Sequence, residues 1–161
     1  MNLIDDCTGR VYLRFATSEN TEDVMKMLRS YFTEIGIPGS IYTDRAAVYK
    51  GEAKLSEFGR AMQEFGVRTI YAKSPQAKGR VERANRTFQD RLIKALRQRG
   101  ISTIAEANHY LEKEFTHSFN AKFSVSPDAP NYHRSSEGLD LDSIFCFKKV
   151  SAHSPTCFRS N

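Results

Sequence analysis

Three apolar stripes of helical period run along this chain, and each stops at a glycine. Val24, Met27, Leu28, Tyr31 and Ile35 lead to Gly36; Phe58, Ala61, Met62 and Phe65 lead to Gly66; Val81, Ala84, Phe88, Leu92 and the pair Ala95/Leu96 lead to Gly100. Recurrence every three or four residues marks one face of a helix, and glycine tolerates the left-handed backbone that closes it. Between the stripes lie shorter runs. Val11, Leu13 and Phe15 alternate with Tyr12, Arg14 and Ala16, which is the period of a strand, and the turn chemistry of residues 5–9 joins them to a stub at Leu3-Ile4 as a hairpin. Residues 40–43 and 67–72 read as further strands. Asn20 or Thr21 can cap the first helix, whose first turn carries Glu22 and Asp23. Thr103 and Glu106 are spaced as a capping box opening a last helix with Ile104, Ala107, Leu111, Phe115 and Phe119 on one side. The order strand, strand, helix, strand, helix, strand, helix, helix predicts a mixed α/β fold with an antiparallel hairpin first and βαβ-like crossovers later.

The 161 residues suit one domain of ordinary size. No run of eighteen apolar residues is present, so no membrane-spanning helix is expected, and Met1 to Asp6 do not resemble a secretory signal. The odd cysteine count (Cys7, Cys146, Cys157) without a C-x-x-C pair argues against a disulfide framework or a zinc site. The four histidines, His109, His117, His133 and His153, have no metal-ligand spacing and read as solvated or packed side chains.

Charge is concentrated in one segment. Lys78 to Arg99 holds eight basic residues against Glu82 and Asp90, a net +6, whereas the whole chain carries +5. A near-neutral body thus bears one strongly basic helix. That pattern suits either a solvated helix face or a surface that follows a phosphate backbone.

Two acids stand out by position. Asp44 follows a strand at its carboxyl end, and Glu82 falls in the first turn of the basic helix. In α/β sheets, ligand sites lie beyond the carboxyl ends of the strands. Two carboxylates converging there would repel unless a hard divalent cation lay between them. Spacing alone leaves the plainer alternatives open: a turn aspartate, and a glutamate complementing the helix dipole.

The stretch Ser74-Pro75-Gln76-Ala77-Lys78-Gly79-Arg80-Val81-Glu82-Arg83-Ala84-Asn85-Arg86-Thr87 closely resembles the signature of integrase-type DDE transposases, most of all their bacterial insertion-sequence members. Ile4-Asp5-Asp6, Thr8-Gly9, Tyr42-Thr43-Asp44-Arg45 and Phe58-Gly59-Arg60-Ala61 agree with it, and the likeness covers about residues 3–125. The resemblance implies a ribonuclease-H-like fold that cuts and joins DNA with two magnesium or manganese ions. An aspartate–aspartate–glutamate triad would hold the metals, Asp44 matching the second aspartate and Glu82 the glutamate. In-line attack by water, and then by a DNA 3′-hydroxyl, would follow without a covalent enzyme intermediate. Arg86 and Gln89, four and seven residues after Glu82, would face DNA beside the metals, with Arg83 offset around the helix. Lys73, Lys78 and Arg80 would neutralise backbone phosphates.

Nothing in the chain matches the family's first aspartate, and Asp5 and Asp6 match the turn after it instead. The expected architecture is therefore an integrase core lacking its first central strand. Residues 1–125 would form the partial core, 126–138 a linker, and 139–161 the remnant of a C-terminal domain with a disordered tail. The implied setting is the bacterial cytoplasm and nucleoid, with DNA (element ends and target) and a full-length transposase as partners and no membrane. Two functions stay open: a transposase catalytic-core fragment, inactive alone for want of the first aspartate, or a non-catalytic DNA-binding remnant or pseudogene product.

Overall fold

The computed structural model describes residues 1–18, 20–43, 56–71, 79–127, 130–150 and 155–158, with the side chains of residues 79–84, 149, 150 and 155–158 outside that description. Strand β1 (Asn2–Ile4) and strand β2 (Val11–Leu13) are followed by helix α1 (Thr21–Glu34), strand β3 (Ser40–Thr43), helix α2 (Glu57–Glu64) and strand β4 (Arg68–Tyr71). Helix α3 (Gly79–Gln98), helix α4 (Ile104–Tyr110), a π-helical turn (Leu111–Phe115) and helix α5 (Thr116–Phe123) come next. Helix α6 (Leu141–Phe145) and strands β5 (Phe147–Val150) and β6 (Pro155–Phe158) complete the described chain.

The strands form three two-stranded sheets: an antiparallel β1–β2 hairpin, a parallel β3–β4 pair in the register Ser40↔Arg68 to Thr43↔Tyr71, and an antiparallel β5–β6 hairpin. The parallel pair is connected through α2, as parallel strands require a crossover. Contacts divide the chain into two compact units, one of residues 1–18 with 73–131, the other of 19–72 with 132–161. That grouping differs from the sequence-based boundaries at 125 and 138.

In the second unit, Asn20 caps α1 by accepting from the Asp23 N–H (2.8 Å), and Gly36, with φ +112°, ends it. Val24, Met25, Met27, Leu28 and Phe32 are buried along α1, and Phe58, Ala61, Met62 and Phe65 along α2. Ile35, assigned to the buried stripe from its spacing, is 48% exposed. It caps the helix where the chain turns away, and Phe32 fills the core in its place. The aromatic ring of Phe145 on α6 lies 5.4 Å from Phe32 and 4.9 Å from Phe65, and Phe32 meets Phe65 edge-on at 5.0 Å.

Residues 132–148, expected to be linker and remnant, are thus part of this unit, with Phe145 and Cys146 buried in it. Ile37 pairs with Arg134 as an isolated antiparallel bridge, and the Arg134 guanidinium donates to the Phe65 carbonyl at 2.6 Å. The tail expected to be disordered includes β6 at residues 155–158, because an antiparallel partner satisfies its backbone groups. The cysteine reading is corrected at one point. Cys7 is a free, exposed thiol, but Cys146 is disulfide-bonded, since three cysteines still allow one bond beside one thiol.

In the first unit, Leu92, Tyr110 and Leu111 form the core, against which Leu13, Phe15, Ala95, Leu96, Ile101 and Phe115 pack. Ile104, predicted to line the inner side of the last helix, is 43% exposed at the first position of α4, whereas Tyr110, three residues after the buried Ala107 and so on the same face, is buried. Among the described residues no helix is long and apolar enough to cross a membrane.

Candidate nucleic-acid interface

Helix α3 carries the site because it is long, basic and fixed at both edges of its apolar stripe. Phe88 and Leu92 are buried, with Ala95 and Leu96 half-buried beside them. A closing motif of two backbone bonds ends the helix: Gly100 N–H donates to the Arg97 carbonyl (3.1 Å) and Ile101 N–H to the Leu96 carbonyl (3.0 Å), with Gly100 at φ +67°. Near the other end, Asn85 accepts from the Asn2 side chain of β1 at 2.8 Å.

The exposed face keeps some of its charge and loses the rest internally. Lys94 pairs with Asp90, and the bond from Lys94 holds the Asp90 carboxyl below its usual range. Arg99 donates to Glu114 at 2.6 Å and lies 4.6 Å from the ring centre of Tyr110; the Glu114 bond, and then the tyrosine, raise its pKa further. Among the described residues no carboxylate pairs with Arg86, Arg91 or Arg97. Exposed guanidinium groups with no carboxylate partner among the described residues are suited to meeting a phosphate backbone.

Of the residues singled out in the sequence, Arg86 and Gln89 are exposed on α3, three positions apart. Arg80, Glu82 and Arg83 belong to the backbone of α3, but their side chains lie outside the described residues. Asp44, Lys73 and Lys78 lie outside the described residues altogether. Asp5 has a local structural task that suits its reading as a turn residue. Its carboxylate accepts from the Cys7 N–H (3.2 Å) and from the Thr8 hydroxyl, while its backbone carbonyl accepts from Gly9 N–H at 2.8 Å. Sequence reasoning passed over the surroundings of Arg91, where Lys122 and Phe123 of α5 lie; a single exposed aromatic at the end of a helix leaves no periodic signal.

No protein-family model matches the chain. A putative transposase of Sinorhizobium fredii is 40% identical over 132 residues, which is 77% of this chain and 29% of that protein. An insertion-sequence transposase of Streptococcus pneumoniae is 33% identical over 144 residues, 80% of this chain and 31% of that protein. Over most of its length the chain is thus similar to transposases, in agreement with the resemblance of its motif to the DDE transposase and integrase catalytic-core family. It spans less than a third of the length of these curated relatives. Two solved structures share the α/β, ribonuclease-H-like fold of the family. One is a chain of the simian T-cell lymphotropic virus intasome, with a TM-score of 0.57, 20% identity and cover of 80% of this chain and 49% of that one. The other is the catalytic core domain of BIV integrase, with a TM-score of 0.51, 16% identity and cover of 76% of this chain and 91% of that one.

Proposed function

We propose that this chain is the catalytic-core portion of a DNA transposase, with residues 1–125 as the core and DNA as the substrate. The observation that carries the reading is the 40% identity to a transposase relative, over a stretch whose motif residues Gly79, Val81, Glu82, Arg83, Asn85 and Thr87 all belong to α3. Asp44 and Glu82 are the proposed metal ligands, and magnesium or manganese the proposed ion. Two carboxylates are the donor type such hard cations prefer, and when bound the ions would activate the attacking oxygen and stabilise the leaving one. Among the described residues there is no group of three metal-ligating side chains; Glu82 comes from the motif and Asp44 from the separate Tyr42-Thr43-Asp44-Arg45 match. Lys73, Lys78, Arg80, Arg83, Arg86 and Gln89 would hold the duplex: the basic ones by neutralising phosphates, Gln89 by hydrogen bonding.

The test is nicking of a duplex that carries the element ends, with magnesium or with a chelator. Magnesium-dependent nicking by the chain, lost in Glu82→Gln with duplex binding retained, supports the enzyme reading. Salt-sensitive duplex binding without nicking leaves the second reading, a non-catalytic DNA-binding remnant. Absence of duplex binding at low salt overturns both.

A further inference from the structure

The aromatic residues of the α4–α5 segment form a ladder that leaves the core. Phe115 stacks on Phe119 at 5.9 Å, Phe119 lies 5.1 Å from the buried Phe88 of α3, and Phe123 lies 4.7 Å from Phe119. Four-residue spacing along a helix aligns these three rings. The last of them, Phe123, is 40% exposed, so it is backed by the core and open on its outer side. Two cations approach it there. The Arg91 guanidinium carbon lies 4.8 Å from the ring centre, and Lys122 Nζ lies 5.7 Å from it. Neither cation has a carboxylate partner among the described residues. Val125, just beyond, is 63% exposed and fixed by its N–H donating to the Thr8 carbonyl at 2.9 Å.

This surface differs from the one that carries the motif. Arg91 comes nine positions after Glu82, about half a turn around the helix at ~100° per residue. The buried Phe88 and Leu92 lie between the two flanks of α3. An exposed aromatic ring with two cations against it presents a π surface and positive charge side by side. It matches a ligand with alternating anionic and flat apolar groups, which is the make-up of an unpaired nucleotide strand. Aromatic rings and guanidinium planes both accept a stacked base, while the ammonium and guanidinium groups meet the flanking phosphates. An acidic peptide would satisfy the cations but leave the ring unused. We propose that Arg91, Lys122 and Phe123 form a second nucleic-acid contact, one that takes single-stranded or unpaired nucleotides, on the flank of α3 away from the Glu82 motif.

The test uses the whole 161-residue chain with a fluorescein-labelled oligothymidine of about 12 nucleotides. A duplex of equal length and a polyglutamate peptide serve as competitors. The expected result is that Phe123→Ala weakens oligothymidine binding by about 5- to 100-fold and Phe123→Tyr preserves it. Arg91→Gln and Lys122→Gln should each reduce the slope of log K against log salt by roughly 0.7. These two exposed substitutions decide the matter if Phe123→Ala fails to unfold cooperatively. Duplex binding that needs Arg86 should persist in all of these variants, so its loss in Arg86→Gln reports on the motif flank separately. Three results overturn the proposal: no oligothymidine binding by the parent chain, unchanged affinity and salt slope in the variants, or displacement by polyglutamate at concentrations where the duplex fails to compete.

Discussion

Asn108 of α4 holds both backbone groups of Phe15: its Oδ1 accepts from the Phe15 N–H at 2.8 Å, and its Nδ2 donates to the Phe15 carbonyl at 3.0 Å. Asn120 of α5 repeats the arrangement on Val11, at 2.8 and 3.0 Å. The β1 side of β2 is served by Met1, Leu3 and Asp5, and the two asparagines satisfy Val11 and Phe15 on the opposite edge. Replacing Asn120 with leucine is expected to strand one donor and one acceptor at a half-buried edge. The expected loss is about 1–3 kcal/mol, read as a lower urea midpoint with an unchanged slope. Asn120→Asp keeps the acceptor and forfeits the donor, so it should fall between the two.

The two asparagines also mark where sequence reading stops. Strands, helices and caps were legible because each is encoded locally: the Thr103–Glu106 box, the Asn20 cap and the glycine stops at 36, 66 and 100 all appear where their residues predict. Asn108 and Asn120 have no such signature, because their partners are 93 and 109 residues away in sequence. The same holds for Phe145, which the sequence assigns to the remnant of a C-terminal domain but which packs against Phe32 and Phe65. At the candidate site, the motif named Arg86 and Gln89, which are exposed on α3. Phe123 lies far from Arg91 in sequence and joins it only through helix packing.

Arg60 is the joint between α2 and the chain that follows α6. Its guanidinium donates to Glu57 and Glu64 on its own helix, both at 2.9 Å, and to the carbonyls of Ile144 (3.0 Å) and Cys146 (2.6 Å). Only a planar fork with several N–H groups reaches four acceptors at once, so Arg60→Lys is not conservative here. Charge-assisted bonds of this kind contribute about 1.5–3 kcal/mol each when lost singly. Arg60→Lys should lower the urea midpoint and expose residues 139–148 to limited proteolysis, while leaving cleavage within residues 104–123 unchanged.

Acid should weaken the start of α4 by a defined route. The Thr103 hydroxyl, then the Thr103 and Ser102 N–H groups, donate to the Glu106 carboxylate and hold its pKa below the ordinary 4.5. A depressed carboxylate pKa means the stabilisation is fully present above the unfolded value and is lost as pH falls through the folded one. Glu64 behaves alike. Burial raises its pKa, but the bonds from Lys148 and Arg60 outweigh that and leave it lowered. Thermal unfolding followed by circular dichroism should show a midpoint that is flat near neutrality and declines below about pH 4.5. In Glu106→Gln the decline should be shallower, because that carboxylate no longer titrates.

Gly36 and Gly100 both have positive φ, at +112° and +67°, yet they should respond very differently to alanine. A Cβ at Gly100 meets nothing within 4 Å, so Gly100→Ala should cost only the left-handed backbone penalty, about 1–2 kcal/mol. A Cβ at Gly36 would lie 2.8 Å from the Arg134 carbonyl oxygen and 3.2 Å from His133 Cβ. The Arg134 carbonyl is the acceptor for Ile37 N–H at 2.8 Å, so it cannot retreat without breaking the bridge that holds residues 132–136. Gly36→Ala should therefore release that segment as well as strain α1's end. The reporter is the hydrogen bond between the Tyr31 hydroxyl and His133 Nε2, 2.8 Å long. In Gly36→Ala, the His133 imidazole resonances should move to solvent-exposed positions and the urea midpoint should drop by more than in Gly100→Ala. Equal drops in the two variants, with His133 undisturbed, would show that the close approach at Gly36 relaxes at no cost.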